Sequence, residues 1–242
     1  MSGLFSMDAW STVWNHKESF LLGLGNTLQT AVCALALAFA IGALLGLMAT
    51  SGNQILKFVA RVYVEFIQNT PLLLQLCFLY YALAFAGVSL GVIRTGIIAL
   101  GVYTGAYMGE VVRAAIESVP KGQFEAGYAQ GFNTAEVLLY IVLPQAYRNI
   151  VPTLLSQVIT TIKDSSYLAN VATIELMARI RQLLSAAGTY NGLGTVNVSD
   201  VMVLFGTACV IYFIINFTLS CVVRAMQNRR RKALVFAPAK AA

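Results

Sequence analysis

The stretch FEAGYAQGFNTAEVLLYIVLP, which runs from Phe124 to Pro144, decides how the rest of the chain is interpreted. It is a polar interruption between two long apolar regions. Its first residues favour a helix, and Gly131 is the kind of residue that ends one. Thr134 is predicted to cap a second helix over residues 134–143, and Pro144 is expected to end it because the residue before a proline avoids the α region. The stretch is therefore predicted to be a compact helix–turn–helix element.

The composition around this stretch indicates the class of protein. Of the 242 residues, 58% are hydrophobic and 11% are charged, whereas a soluble domain usually carries about twice that share of charge. Because only helices and closed barrels satisfy their backbone groups inside a bilayer, the long apolar runs predict an all-α polytopic membrane protein with a single domain. About five spans are expected, at residues 21–50, 58–85, 96–115, 149–168 and 201–223, with the polar loop 121–144 between the third and the fourth.

The distribution of Lys and Arg predicts the orientation in the membrane. The net charge is +6, and a basic cluster follows the last span, where it indicates a cytoplasmic anchor rather than a nucleic-acid-binding surface. An external N-terminus and a cytoplasmic C-terminus place most positive charge inside, namely Lys57, Arg61, Arg113, Lys121, Arg148 and the tail cluster. The start of the chain lacks the cationic region of a cleaved signal, so the first span is expected to be retained.

The central stretch also has a specific spacing, with Glu-Ala-Gly at 125–127, Gly131 after three intervening residues and Ile-Val-Leu-Pro at 141–144. This spacing resembles the EAA loop of binding-protein-dependent ABC importer permeases. In that family the loop is a cytoplasmic coupling helix that docks on the ATP-hydrolysing subunit. Gly127 departs from the pattern, since alanine is usual there, and this should loosen the helix without abolishing docking. The resemblance assigns ATPase coupling to Glu125, Ala126, Gly127, Gly131, Ile141, Leu143 and Pro144.

Two further segments resemble the polar-amino-acid branch of the same family. They are EFIQNTPLL at 65–73, where arginine is commoner at Gln68, and GAYMGEVVR at 105–113. The resemblance implies a permease subunit of the methionine-importer fold that carries a polar amino acid, of the histidine, glutamine, glutamate or arginine type, into the cytoplasm by alternating access. It also implies a bacterial inner (cytoplasmic) membrane as the location.

The same resemblance implies the partners. These are two ABC ATPase subunits that bind ATP and Mg, a second permease that is identical or homologous, and a periplasmic or extracellular solute-binding protein. The spans themselves would contact membrane lipid, and no nucleic acid is expected. The chain itself is expected to need no cofactor.

Polar residues within the predicted second span are candidates for the substrate pathway. Asn69 and Thr70 precede Pro71, which removes a backbone donor in the middle of an apolar segment. By the helical rise they lie near the midplane of a ~30 Å hydrocarbon core. Two interpretations are open, because these side chains either contact cargo or only compensate for the proline break.

The predicted fourth span ends with the least expected residues, Lys163, Asp164, Ser165 and Ser166. Charged residues at such depth usually face a cavity or the interior of a bundle. Together these side chains offer donors for a carboxylate and an acceptor for an ammonium group, so they form the favoured candidate site for a zwitterion. Glu110 is a weaker candidate, because it can pair with Arg113 three residues later.

Packing of the spans is also predicted from the sequence. Small residues recur every fourth position in the first and third spans, at Ala34, Ala38, Gly42 and Gly46 and at Gly101, Gly105 and Gly109, which favours close approach of helices. Residues 173–187 form an amphipathic pattern, with Glu175 expected on the polar side.

No catalytic constellation is visible, so the chain is not expected to be an enzyme. Cys33, Cys77, Cys209 and Cys221 all lie in apolar segments, and no metal site is expected. A secondary transporter or channel that needs no ATPase is the main alternative, because broken helices and intramembrane charges occur there too. The absence of a visible inverted repeat argues against it. A non-transporting scaffold would leave Lys163 and Asp164 unexplained.

Overall fold

The computed structural model of the chain describes residues 7–88, 90–171, 173–190 and 198–235. Every regular element in these residues is helical, which confirms the predicted all-α class. The α-helices are α1 (Met7–Asn15), α2 (Lys17–Thr50), α3 (Gln54–Gln68), α4 (Leu72–Phe85), α5 (Val92–Glu117), α6 (Lys121–Ala129), α7 (Thr134–Glu136), α8 (Leu143–Asp164), α9 (Leu176–Tyr190) and α10 (Val198–Val235). A π-helical turn (Val137–Val142) precedes α8, and a 3₁₀ segment (Ser165–Val171) follows it.

Three helices in the described residues are long and apolar enough to cross a membrane, namely α2, α5 and residues 198–228 of α10. Helices α3 and α4 meet the same test only when they are taken together as one interrupted span. Helix α8, which contains most of the predicted fourth span, does not meet it, and Lys163 and Asp164 at its end make its composition more polar. A fifth span therefore stays a prediction.

The predicted second span is interrupted where the proline was expected to act. Helix α3 ends at Gln68, and α4 begins at Leu72 with Pro71 as its extended N-cap residue. Pro71 cannot donate a backbone hydrogen bond, and it keeps the residue before it out of the α region. One predicted span of 58–85 is therefore two helices.

The chain folds as two compact units, each assembled from three separate segments. The first comprises Met1–Ala34, Pro71–Leu100 and Thr161–Phe217. Its core is an apolar cluster that α2, α9 and α10 contribute, consisting of Phe20, Leu176, Ile180, Leu204 and Ala208. Phe20 aside, these residues follow helical spacing within α9 and α10, which explains why they share one buried face.

The second unit comprises Leu35–Thr70, Gly101–Thr160 and Thr218–Ala242. The two predicted stripes of small residues lie opposite each other here. A Cβ on Gly105 would lie 2.8 Å from the Ile41 side chain, and one on Gly42 would lie 2.5 Å from the Met108 Cβ. Both distances are shorter than van der Waals contact, so α2 and α5 approach this closely only because the residues are glycine. The close approach predicted from the stripes is confirmed.

Candidate functional site

The predicted coupling stretch folds as a compact element in the second unit, and we call residues 121–144 the coupling element. Its first helix, α6, ends where the sequence predicted. Gly131 follows with φ +87°, and the Phe132 amide donates back to the Gly127 carbonyl at 3.2 Å. The left-handed conformation at this position strongly favours glycine, because a Cβ would crowd the backbone.

The second half of the coupling element differs from the prediction in two ways. The N-cap is Asn133, not Thr134, and Asn133 forms a capping box with Glu136. Both side chains accept backbone amides there, at 3.0 Å from Glu136 N to Asn133 Oδ1 and 2.8 Å from Asn133 N to Glu136 Oε2. Because Asn accepts from the first-turn amides as well as Thr does, and it occupies the extended position, the cap lies one residue earlier than expected.

The second difference concerns Pro144, which does not end the helix. A π-helical turn precedes it, and the Leu143 amide donates to the Leu138 carbonyl five residues earlier. The wider turn accommodates a proline that lacks its own amide hydrogen, so the chain continues as α8. The side chain of Gln145 then donates to the Ile141 carbonyl at 2.8 Å and to the Gln123 side chain at 3.1 Å.

Gly127 is the contact point between the two halves of the coupling element. It is buried, and a Cβ there would lie 2.7 Å from Ile141 Cδ1 and 2.8 Å from Val137 Cγ2. Val137 belongs to a buried apolar cluster that also includes Val142. Phe124, Leu138 and Leu143 pack against this cluster. Glycine at 127 is therefore a packing requirement of this element, beyond the loosening of the helix that the sequence indicated.

Several of the residues predicted for ATPase coupling are exposed on the coupling element. Glu125, Ala126, Gly131 and Pro144 are exposed, and Ile141 is half-buried. Large apolar or aromatic side chains are exposed beside them, namely Tyr128, Phe132, Leu139, Tyr140 and Tyr147. Aromatic side chains such as Tyr and Phe are enriched at protein–protein contacts. The structure thus places every residue predicted for ATPase coupling on one short element.

The favoured cargo residues lie together in the first unit. Helix α8 ends at Asp164, and the 3₁₀ segment begins at Ser165. Lys163 is exposed, Asp164 and Ser166 are half-buried, and Ser165 is fully buried. The Ser165 hydroxyl donates to the Ile162 carbonyl at 2.7 Å. The helix end thus presents an exposed ammonium group beside a partly shielded carboxylate and hydroxyl.

Asn69, Thr70 and Glu110 belong to the second unit, and local bonds use their side chains. Asn69 Nδ2 donates to the Glu65 carbonyl at 2.7 Å, and the Thr70 hydroxyl donates to the Phe66 carbonyl at 2.9 Å. Both therefore satisfy carbonyls at the end of α3, which favours the compensation of the proline break over a cargo contact.

The Glu110 carboxylate is ion-paired with Arg113, whose guanidinium also reaches Glu117. The predicted Glu110–Arg113 pair is thereby confirmed. Among the described residues, no group of three or more His, Cys, Asp or Glu side chains lies close enough to hold a metal ion.

Glu175 is a buried polar residue whose position the sequence prediction got wrong. It was expected on the exposed side of an amphipathic helix, but its side chain is fully buried in the first unit. It is the N-cap residue of α9: its carboxylate accepts the Met177 amide at 2.9 Å and the Ala178 amide at 2.7 Å. Burial raises the pKa of this carboxyl, which lies outside the predicted spans, and the hydrogen bonds oppose that shift. A carboxylate directly before an apolar helix start was the available signal.

Comparison with known proteins places the chain in a family. Residues 38–232 match the model of the binding-protein-dependent transport system inner membrane component. The match covers most of the chain, so this protein belongs to that family and is the multi-pass permease subunit of an ABC importer.

Individual relatives are similar over nearly the whole chain. The probable glutamine ABC transporter permease protein GlnM of Bacillus subtilis is 34% identical over 223 residues, which cover 92% of this chain and 98% of the relative. A crystal structure of an amino acid ABC transporter with histidines matches with a TM-score of 0.79 at 29% identity, covering 93% of this chain and all of that one. The inward-facing methionine ABC transporter MetNI has a TM-score of 0.65 at 21% identity, covering 88% of this chain and 98% of that one, which confirms the predicted methionine-importer fold.

Proposed function

We propose that the coupling element is the docking site of a separate ATPase subunit and that this chain carries a polar amino acid inward. The observation that carries the docking proposal is the form of the element itself. Residues 121–142 are held by a left-handed glycine, a capping box and a tight Gly127 contact, so they can transmit a displacement as one body. Family membership supports the ATPase as the occupant and excludes the secondary transporter from consideration.

The amino-acid cargo is proposed from the relatives. One is named for glutamine, and the solved structure with the higher TM-score is an amino acid transporter with histidines. Within this chain, Lys163 and Asp164 supply the opposite charges that an amino-acid zwitterion requires, and Ser165 and Ser166 supply hydroxyls. We place the cargo contact at this segment, with Asn69, Thr70 and Glu110 as secondary candidates because their side chains already serve α3 and Arg113.

The remaining partners and the orientation complete the proposal. A second permease copy, identical or homologous, and an external solute-binding protein would complete the transporter in a bacterial inner membrane. ATP and Mg would be bound by the ATPase, and alternating access would expose the cargo segment to each side in turn. The N-terminus would be external, because the positive charge of the predicted loops is then cytoplasmic.

The test is co-purification of the ATPase with this chain, followed by ATP hydrolysis in proteoliposomes that hold the complete complex. The parent is expected to retain the ATPase and to respond to one of L-glutamine, L-histidine or L-arginine. Glu125→Lys reverses the charge on the exposed face of the coupling element and should release the ATPase, lowering the stimulated rate at least about tenfold if the contact contributes ~1.4 kcal/mol or more.

Glu18→Lys is the matched control, because Glu18 is an exposed carboxylate near the start of α2. It makes the same charge change away from the coupling element and should leave ATPase association at the parent level. Equal association in the parent and in Glu125→Lys would show that the docking assignment is wrong. A parent complex that no amino acid stimulates would reject the cargo instead.

A further inference from the structure

The first unit contains a cavity of about 540 Å³ that the transport proposal does not use. Its walls come from three places in the chain, namely the first part of α2, the start of α5 and the segment that precedes α9. Among its lining residues are Asn26, Leu90, Ile93, Arg94, Thr173 and Ile174. Asn26 Nδ2 donates to the Ile174 carbonyl at 2.6 Å, which holds two of these walls together.

The charge of the cavity comes from Arg94. This residue lies in the first turn of α5, it is exposed, and within the described residues it takes part in no ion pair. No Asp or Glu is found among the described residues that line the cavity. The first amides of an α-helix lack intrahelical acceptors, and the helix dipole favours an anion beside them. The start of α5 therefore adds to the attraction of Arg94 for an anion.

A second, independent feature is the hydroxyl of Thr173. The residue is only 2% exposed, and its Oγ1 has no hydrogen-bond partner among the described residues. Buried polar groups are seldom left unpaired, because they lose their hydrogen bonds to water without a replacement. Since Thr173 lines the cavity, a ligand bound there can supply the missing partner.

Arg94 also lies at the level of a membrane boundary. Helix α5 contains 26 residues and is apolar enough to cross a membrane. At 1.5 Å per residue it is about 39 Å long, whereas the hydrocarbon core is ~30 Å thick, so its first turn reaches the headgroup region. Arg side chains near the ends of spans extend to this region. The placement holds whichever side of the membrane the turn faces.

We propose that this cavity binds the phosphodiester of an anionic phospholipid, with Arg94 and the Thr173 hydroxyl as the groups that contact the phosphate. Basic pockets between transmembrane helices are suited to phospholipid headgroups. A phosphodiester and a carboxylate are both singly charged oxyanions, so an amino acid is the other source of this chemistry. The lipid is favoured because Leu90, Ile93 and Ile174 supply apolar walls, and no described carboxylate lines the cavity to pair with an ammonium group.

The test uses the full-length chain, purified in detergent and depleted of lipid, and measures its thermal unfolding midpoint during titration with dioctanoyl phosphatidylglycerol. A ligand that binds only the folded state raises the midpoint with its concentration, and this dependence gives the dissociation constant. Arg94→Gln is expected to weaken binding about tenfold, because it removes charge-assisted hydrogen bonds to the phosphate. Arg181→Gln is the matched control, since Arg181 is an exposed arginine of the same unit that does not line the cavity. It should keep the parent affinity.

Thr173→Val separates a binding role of the hydroxyl from a structural one. Valine has nearly the same shape and removes an unpaired buried hydroxyl, so the midpoint of the lipid-free chain should not fall. The dissociation constant for phosphatidylglycerol should nevertheless rise about threefold, because one hydrogen bond to the phosphate is lost. A lower midpoint with unchanged affinity would show that the hydroxyl serves packing and would contradict the proposed contact.

Two further ligands identify what the cavity recognises. Dioctanoyl phosphatidylcholine has the same acyl chains, but its choline group brings a positive charge beside Arg94, so it should bind at least about fivefold more weakly. L-glutamine tests the amino-acid source, and it should not raise the midpoint through Arg94.

Four outcomes would overturn the proposal. They are equal affinities of the parent for the two lipids, an unchanged affinity for phosphatidylglycerol in Arg94→Gln, and an equal loss of affinity in Arg94→Gln and Arg181→Gln, which would indicate a general effect of charge. The fourth is a midpoint that L-glutamine raises in the parent but not in Arg94→Gln, which would assign the cavity to the amino acid instead.

Discussion

At the scale of single residues, packing explains why position 127 is glycine, although alanine is usual there in the family. The position lies in the second half of α6, and glycine inside a helix lowers helix stability relative to alanine by ~1 kcal/mol. Its buried contact with Val137 and Ile141 gives the opposite preference. Because Val137 belongs to the buried cluster, it has little freedom to move away from an added methyl group.

Gly127→Ala is therefore expected to lower the stability of the purified chain, even though it restores the residue that is usual in the family. Overpacking costs about 1–3 kcal/mol and exceeds the gain of ~1 kcal/mol in helix propensity. The measurement is the thermal unfolding midpoint in detergent. Gly122→Ala is the matched control in the same helix: a Cβ there has no neighbour within 4 Å, so only the gain in propensity remains. Equal midpoints for the two variants would contradict the packing argument.

Residues also show where prediction from sequence reaches its limit. Gly131 was identified correctly because a left-handed residue after a helix leaves a local signal. Glu175 was not, because its surroundings come from residues distant in the chain: Tyr212, 37 residues away, donates to its carboxylate, and the amide of its neighbour Leu176 donates to Thr27, 149 residues away. Local periodicity placed it on a polar face, and tertiary contacts override that pattern.

At the scale of secondary-structure elements, the proline rule succeeded once and failed once. Pro71 separates α3 from α4 as predicted, whereas Pro144 lies in the first turn of a continuing helix. The rule describes the α-helical hydrogen-bond pattern, in which proline loses a bond and clashes with the carbonyl four residues earlier. In a π-helical turn each amide bonds to the carbonyl five residues earlier instead of four. The sequence VLLYIV contains no residue that predicts this change.

The prediction at this scale concerns the close packing of α2 against α5 at their glycine residues. Gly105→Val places a branched side chain where the Ile41 side chain already lies within 2.8 Å of a Cβ, so the helices must separate. The amount of monodisperse protein extracted in a mild detergent is expected to fall several-fold. Gly206→Val on α10 is the control, because a Cβ at Gly206 meets no atom within 4 Å. Similar yields for both variants would show that close approach is not needed for assembly.

At the scale of the whole molecule, composition predicted the class of protein well, but it left the number of spans open. Apolar length identifies α2, α5 and α10, and the interrupted pair α3 and α4 passes only as a unit. Helix α8 does not meet the same criterion, because polar and charged residues lie at both of its ends. A span at α8 stays a prediction, and the distribution of Lys and Arg is the better guide to orientation.

The orientation is tested with a reporter that is active only outside the cytoplasm. Fused at residue 1 it should be active, and fused after Lys232 it should be silent, because five spans place the two ends on opposite sides. A fusion at Gly87, in the predicted external loop, should be active, and one after Lys57 should be silent. The reverse pattern, or equal activity at both ends, would contradict the five-span arrangement with an external N-terminus.

The π-helical turn at Val137–Val142 determines how α7 is oriented relative to α8. A π-turn is equivalent to one extra residue inserted into an α-helix, and each residue of an α-helix turns the chain by ~100°. Deleting one residue within it would rotate α7 and Glu136 by roughly that angle about the axis of α8, and Pro144 would lose the wider turn that accommodates it. One extra residue in the π-helical turn therefore sets the direction in which the proposed docking face points relative to the axis of α8.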